Sequence, residues 1–405
     1  MQESALAPFR GIRPAIGRAP EVAAPPYDVV TTDEARQRAS GRRWDFLHVS
    51  RPEIDLAEGA DPGAPEAYSR AGINLRRMVE DGVLIRDRTP CFYVYRISAG
   101  EHQQTGIAAA ALVSAYEDGW IKRHELTRPG TELDRARQIE AVNAHTGPVF
   151  VTYRPVEAIE AIVAEAVSGE PSADVVIDGT ARHRTWVVSD PPALHRLAAA
   201  LGSIKALYVA DGHHRAGAAI RVARARPWAK RFLVVAFPTN QVRIFGYYRR
   251  VRDLNGRSAE AFVAEVAKSF EVLPASGPVQ PVRSGEFGMV IRGRWFRISV
   301  RQAPAAGTPP LERLDVSVLS SRLLEPVLGI GDPRTDSRVG FVGGSKGLGE
   351  LQRSVGEGGW AVGFSLFPTS LESLLAVADA GQVMPPKSTW FDPKLADGLI
   401  SLPID

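Results

Sequence analysis

The five consecutive residues Asp211-Gly212-His213-His214-Arg215 set a carboxylate, two imidazoles and a guanidinium around one glycine, directly after the apolar run Ala206-Leu207-Tyr208-Val209-Ala210. An apolar strand that passes through a short polar turn into a helical pattern puts such residues in a helix's first turn. Backbone N–H groups without an intrahelical partner and the positive end of the helix dipole attract anions there. Asp211 is expected to cap the helix, and Gly212 to let the backbone approach a ligand closely. His213 and His214 are the only adjacent pair among eight histidines, which sets the segment apart from an ordinary capped helix. The expected chemistry is phosphate binding, with Gly212, His213, His214 and Arg215 forming the cradle.

Other segments carry weaker signals. In Lys122-Arg123-His124-Glu125-Leu126-Thr127, a glutamate beside basic residues could take the proton of an attacking hydroxyl, although a solvated charged turn accounts for the stretch equally simply. Lys346, within Gly343-Gly344-Ser345-Lys346-Gly347, could meet a nucleotide phosphate, but the order fits neither a P-loop nor the dinucleotide fingerprint. Prolines hold Tyr27 and Asp28 in Pro25-Pro26-Tyr27-Asp28, and Lys387, Ser388 and Thr389 in Pro385-Pro386-Lys387-Ser388-Thr389-Trp390. Both loops are candidates for contact with a substrate. No HExxH or CxxC spacing occurs, so a structural zinc is not expected. A magnesium ion (Mg2+) arriving with nucleotide could rest on Asp211.

The elements that must position these residues alternate. Between residues 105 and 252, strand-like Val149–Tyr153, Arg184–Val188, 206–210 and Phe232–Phe237 are separated by helical patterns at 155–168, 192–201 and 213–226, which predicts an α/β sheet core. Residues 1–104 form an N-terminal α/β region, with short strands between proline turns up to about residue 60, Phe46–Val49 among them. A C-terminal α/β region covers 253–405. With 44% hydrophobic and 23% charged residues, the 405-residue chain reads as folded and globular. The near balance of 49 basic and 46 acidic residues argues against a nucleic-acid or membrane partner. The lone Cys91 sits in an apolar run and is expected in the core, no apolar stretch is long enough to span a bilayer, and no signal peptide is evident, so a cytoplasmic protein is expected.

Asp-Gly-His-His-Arg, His-Glu-x-Thr, Pro-Pro-Tyr-Asp and Lys-Ser-Thr-Trp-Phe together identify the chain as a member of domain-of-unknown-function family 1015. The central motif and the earlier His124-Glu125 also resemble those of free serine kinases with the ParB/sulfiredoxin-like fold. That resemblance implies a mixed sheet with a ParB/sulfiredoxin-like central core plus N- and C-terminal extensions, a fold of α/β (α+β) class. It implies a nucleotide-dependent phosphotransferase using ATP or ADP on a small hydroxylated metabolite, with free L-serine as acceptor or phosphoserine in the reverse direction. Glu125, Asp211, His214 and Arg215 would then be catalytic. Gly212, His213, His214, Arg215 and Lys346 would bind nucleotide, and Tyr27, Asp28, His124, Thr127, Lys387, Ser388 and Thr389 substrate, with Asp211 as the magnesium contact. The terminal regions could close over the site or make a homodimer. The alternatives are a non-catalytic nucleotide-binding switch and a ParB-like DNA-associated protein.

Overall fold

A computed structural model describes residues 4–305 and 307–404. The chain forms two compact units: residues 1–123, 127–242 and 393–405 make the first, and 124–126 with 243–392 make the second. Sequence alone suggested three consecutive regions instead. Strand pairing between distant segments accounts for the difference, because strands from the expected N-terminal region share a sheet with strands from the expected core.

The first unit is built on a nine-stranded mixed sheet. Its strands are β1 (Leu6–Ala7), β2 (Phe92–Ala99), β3 (His102–Leu112), β4 (Ile121–Lys122), β5 (Val149–Tyr153), β6 (Ala173–Ile177), β7 (Ala181–Val188), β8 (Leu207–Asp211) and β9 (Arg231–Pro238). They lie in the order β4-β8-β5-β9-β3-β2-β7-β6, with β1 added beside β3. Only β4–β8 and β5–β9 pair in parallel; the other pairs are antiparallel. Alternate residues Val94, Ile107, Ala109, Val151, Val209 and Val234 point into one core, which helices Glu157–Ala166 and Pro191–Gly202 cover with Ile159, Ile162, Leu197 and Leu201. This is the period-two burial expected of a sheet face packed on amphipathic helices. Cys91 is buried, as its apolar neighbours implied.

Three further helices matter here: α1 (Pro65–Glu80), α2 (Pro129–Val142) and α3 (His213–Ala225). Val22, Phe46, Leu47 and Val49 pack with Leu75 and Met78 of α1 in a separate core. The expected strand at Phe46–Val49 is instead part of a short helix, Leu47–Ser50, whose start is fixed by the buried Asp45 carboxylate accepting from Leu47 N at 3.1 Å. An apolar run this short cannot be told from a buried helical turn by periodicity.

The second unit holds a six-stranded antiparallel sheet of Phe270–Ala275, Arg294–Val300, Glu286–Ile291, Val362–Leu366, Tyr247–Val251 and Val339–Gly343, in that spatial order. A helix over Asp315–Leu319 widens into a π-helical turn over Ser320–Leu324. Among the described residues, no helix is long and apolar enough to cross a membrane.

Candidate functional site

Strand β8 delivers its last residue, Asp211, to the edge of the sheet, and the chain turns at Gly212 into α3. Gly212 has φ 94°, a left-handed conformation, and a Cβ there would lie 2.9 Å from the Arg215 Nε. Both facts require glycine. The capping role expected of Asp211 is not what the structure shows: Gly212 occupies the N-cap position and no side chain caps the helix. Asp211 Oδ2 accepts from Arg215 Nη2 at 2.8 Å, and its Oδ1 accepts from Lys394 Nζ at 3.0 Å. Burial alone would raise the pKa of this carboxyl, but Lys394 and Arg215 outweigh it and hold the group well below the usual carboxylate range. With a cation on each oxygen, Asp211 does not fit the expected magnesium contact. Among the described residues, no three His, Cys, Asp or Glu side chains gather to hold a metal ion.

Arg215 is buried and folds back under the turn. Its Nη1 donates to the Pro148 carbonyl, and Asp28 stands 4.0 Å away. Burial opposes the guanidinium's charge, while Asp211 and Asp28 hold its pKa above the ordinary value. Lys394 belongs to the C-terminal segment, which no local motif marks as part of the site.

Helix α2 begins beside α3. Arg128, its N-cap residue, donates its backbone N–H to His214 Nε2 at 3.1 Å. At the far end, Asn143, the left-handed C-cap of α2, accepts at Oδ1 from Nη1 of Arg226, the C-cap of α3, at 3.2 Å. The two helices therefore run parallel, with both N-termini at one end. Their seam contains Ala136, Ile139, Ala218 and Val222. Close approach depends on Gly217, where a Cβ would meet the Glu132 carboxylate, the group that accepts from the Thr127 hydroxyl. Parallel dipoles ending together concentrate positive potential at one mouth. His214 is half-buried there and His213 is buried.

Tyr27 and Asp28 reach the same region. Tyr27 donates its backbone N–H to Asp397 Oδ2 at 3.2 Å, and its ring carries the Arg135 guanidinium at 4.2 Å. Burial, reinforced by Asp28, pushes the phenol up to about 12, so it stays protonated across the neutral range. Asp28 is exposed. Gln138 and Asp397, to which the sequence gave no role, line a small cavity with Arg135, Tyr27 and Arg215.

The remaining predicted residues belong to the second unit. His124 is buried and its carbonyl accepts from Met384 N at 2.7 Å; Glu125 is half-buried. The Ser388 hydroxyl donates to Pro385 O at 2.6 Å and its carbonyl accepts from Thr369 Oγ1 at 3.0 Å, so this buried serine braces its own loop instead of facing a substrate. Lys387 has φ 55° and sets its ammonium 5.7 Å from the centre of the Tyr247 ring, with Thr389 half-buried two residues on. Lys346 is exposed beside a turn whose glycines have a packing cause: a Cβ at Gly343 would lie 2.8 Å from Trp390, and one at Gly344 would strike the Gly246 carbonyl.

Residues 6–317 match the family described as Protein of unknown function (DUF1015). The chain belongs to that family. No curated protein matches it. Among solved structures, a free serine kinase in complex with AMP is 14% identical, with a TM-score of 0.36 over 70% of this chain and 86% of the kinase. A conserved hypothetical protein from Pyrococcus furiosus is 14% identical at a TM-score of 0.36, covering 72% of this chain and 93% of its own. SbnI with C-terminal truncation from Staphylococcus aureus is 14% identical at a TM-score of 0.39, covering 72% and 85%.

Proposed function

We propose that the paired helix mouth of α2 and α3 binds the phosphates of ATP or ADP, and that the protein is a phosphotransferase acting on a small hydroxylated metabolite, with free L-serine the first acceptor to test. The observation that carries this reading is the Arg128 N–H to His214 Nε2 bond, which joins two parallel helices at their N-termini. Each terminus presents about half a positive elementary charge. His214 Nε2, by accepting the Arg128 N–H, holds an imidazole where the two helix termini meet. Fixed donors and dipoles aimed at a transferring phosphoryl group stabilise charge without reorganising during the reaction.

Arg215, committed to Asp211 and the Pro148 carbonyl, is a positioning residue in this scheme: it braces the turn that presents the amides. Glu125 keeps the base role implied by the sequence resemblance. It takes the proton of the acceptor hydroxyl as that oxygen bonds to phosphorus, while the bond from phosphorus to the nucleotide's bridging oxygen breaks. Lys346, Lys387 and Thr389 are proposed as further contacts for nucleotide or substrate.

The test is transfer of labelled terminal phosphate from ATP and from ADP to L-serine, with calorimetric titration of AMP and ADP alongside. Glu125→Gln should lower kcat by about 10²- to 10⁴-fold with nucleotide affinity unchanged. His214→Ala should weaken nucleotide binding. Nucleotide binding without phosphoserine would leave a switch in place of an enzyme, and absence of nucleotide binding would overturn the reading of the mouth itself.

A further inference from the structure

Ser50, Gln138 and Asp397 come from three distant parts of the first unit and line one cavity. They are 4%, 4% and 1% exposed. Among the described residues, Ser50 Oγ, Gln138 Oε1 and Asp397 Oδ1 have no hydrogen-bond partner. Other atoms of two of these side chains are anchored. Gln138 Nε2 donates to Val49 O at 2.7 Å, which fixes the amide's orientation, and Asp397 Oδ2 accepts from Tyr27 N at 3.2 Å. The Ser50 hydroxyl lies near enough to Asp397 to lower its pKa, yet without hydrogen-bond geometry. A buried polar group left unsatisfied costs about 1–3 kcal/mol, and three around one space call for a common donor.

Size and charge narrow that donor. The cavity offers ≈ 30 Å³ to the centres of water-sized groups, roughly two to three times what one water requires. A head group fits there and a nucleotide does not. An ammonium carries three N–H donors, one for each oxygen, and a positive charge for the Asp397 carboxylate that waters filling the same space would not bring. Arg215, also on the cavity wall, donates no hydrogen bond to Asp397: its Nη1 and Nη2 go to Pro148 and Asp211, and among the described residues its Nε has no partner. We propose that this cavity binds the primary ammonium group of a small amine, with Asp397 as its counter-ion and Ser50 and Gln138 as its other two acceptors. The site goes beyond the phosphotransferase reading and does not depend on nucleotide binding at the helix mouth.

Burial pushes Asp397 up to about 7, against the pull of Arg215, with Asp28 adding to the rise. The other titratable or charged groups facing it are Tyr27, which stays protonated, and, on the cavity wall, Arg135 and His145. Burial drives His145 down to about 4, so Asp397 is the group that changes charge near neutrality. A bound ammonium favours its ionised form, and amine affinity should fall as the carboxyl protonates.

The experiment uses the full chain, titrated by calorimetry and thermal shift with ammonium chloride and methylammonium chloride, and with tetramethylammonium chloride at equal ionic strength, above and below the Asp397 pKa of about 7. Ammonium and methylammonium should stabilise saturably above it, and tetramethylammonium, which has no N–H, should not. Asp397→Asn should weaken methylammonium binding about tenfold or more, as loss of a charge-assisted bond implies. Should that variant fail to fold, Ser50→Ala and Gln138→Met each remove one acceptor and should weaken binding severalfold. An equal response to all three cations, unaltered binding in the folded variants, or no saturable response, which would leave the cavity to water alone, overturns the proposal.

Discussion

Gly212 shows how much a single position can encode. Its φ of 94° and the Arg215 Nε 2.9 Å from any added Cβ exclude a side chain on two independent grounds. Gly212→Ala should destabilise the protein by about 1–3 kcal/mol, read as a lower midpoint in urea unfolding. An unchanged midpoint would mean that the turn relaxes without loss. Glycine at this point was legible in the sequence, because a strand-to-helix turn beside polar residues asks for it. The partner of Asp211 was not. Lys394 lies 183 positions away in a segment with no motif, so sequence alone left the carboxylate as a cap or a metal contact when it is the centre of an ion-paired cluster.

Helix α2 carries Ala136, Ile139 and Val142 on a buried face, and helix α3, within a residue of the pattern at 213–226, was foreseeable from the sequence. Their parallel pairing was not, since the bonds that reveal it, Arg128 to His214 and Arg226 to Asn143, are tertiary. Gly217 sits on that seam, and its effect on function can be separated from its effect on stability. Alanine gains about 1 kcal/mol of helix propensity over glycine. The obstacle to it is the flexible end of Glu132, which can swing aside. Gly217→Ala should therefore leave the melting temperature near that of the wild type. It should still weaken nucleotide binding, because displacing Glu132 releases the Thr127 hydroxyl and loosens the segment that carries Arg128 to His214. A loss of melting temperature with unchanged nucleotide affinity would assign Gly217 to packing alone. The misread helix at Leu47–Ser50 has the same kind of cause: its start is set by the buried Asp45, and periodicity over so few residues is silent.

At the scale of the molecule, the alternation of strands and helices announced an α/β protein, but chain order could not show that residues 393–405 group with the first unit or that residues 124–126 group with the second. That grouping puts Asp397 in the first unit with His145 and His183, and these buried residues set opposing dependences of stability on pH. Burial lowers His145 and His183 from 6.5 to about 4, so between those values the unfolded chain binds up to two more protons and stability rises with pH. Burial raises Asp397 from 3.8 to about 7, so over that span the folded chain binds one more proton and this residue makes stability fall as pH rises. Together the three leave a net uptake of about one proton on unfolding between roughly pH 4 and 6.5, and a reversal of slope as Asp397 ionises alone near 7. Calorimetric melting of the first unit's transition should accordingly rise from acid towards neutrality and then level or decline. Asp397→Asn cannot titrate, so its melting temperature relative to the wild type should climb steadily across the same interval. Parallel curves for the two proteins would show that Asp397 is already ionised in the folded chain at acid pH, with the pull of Arg215 outweighing burial.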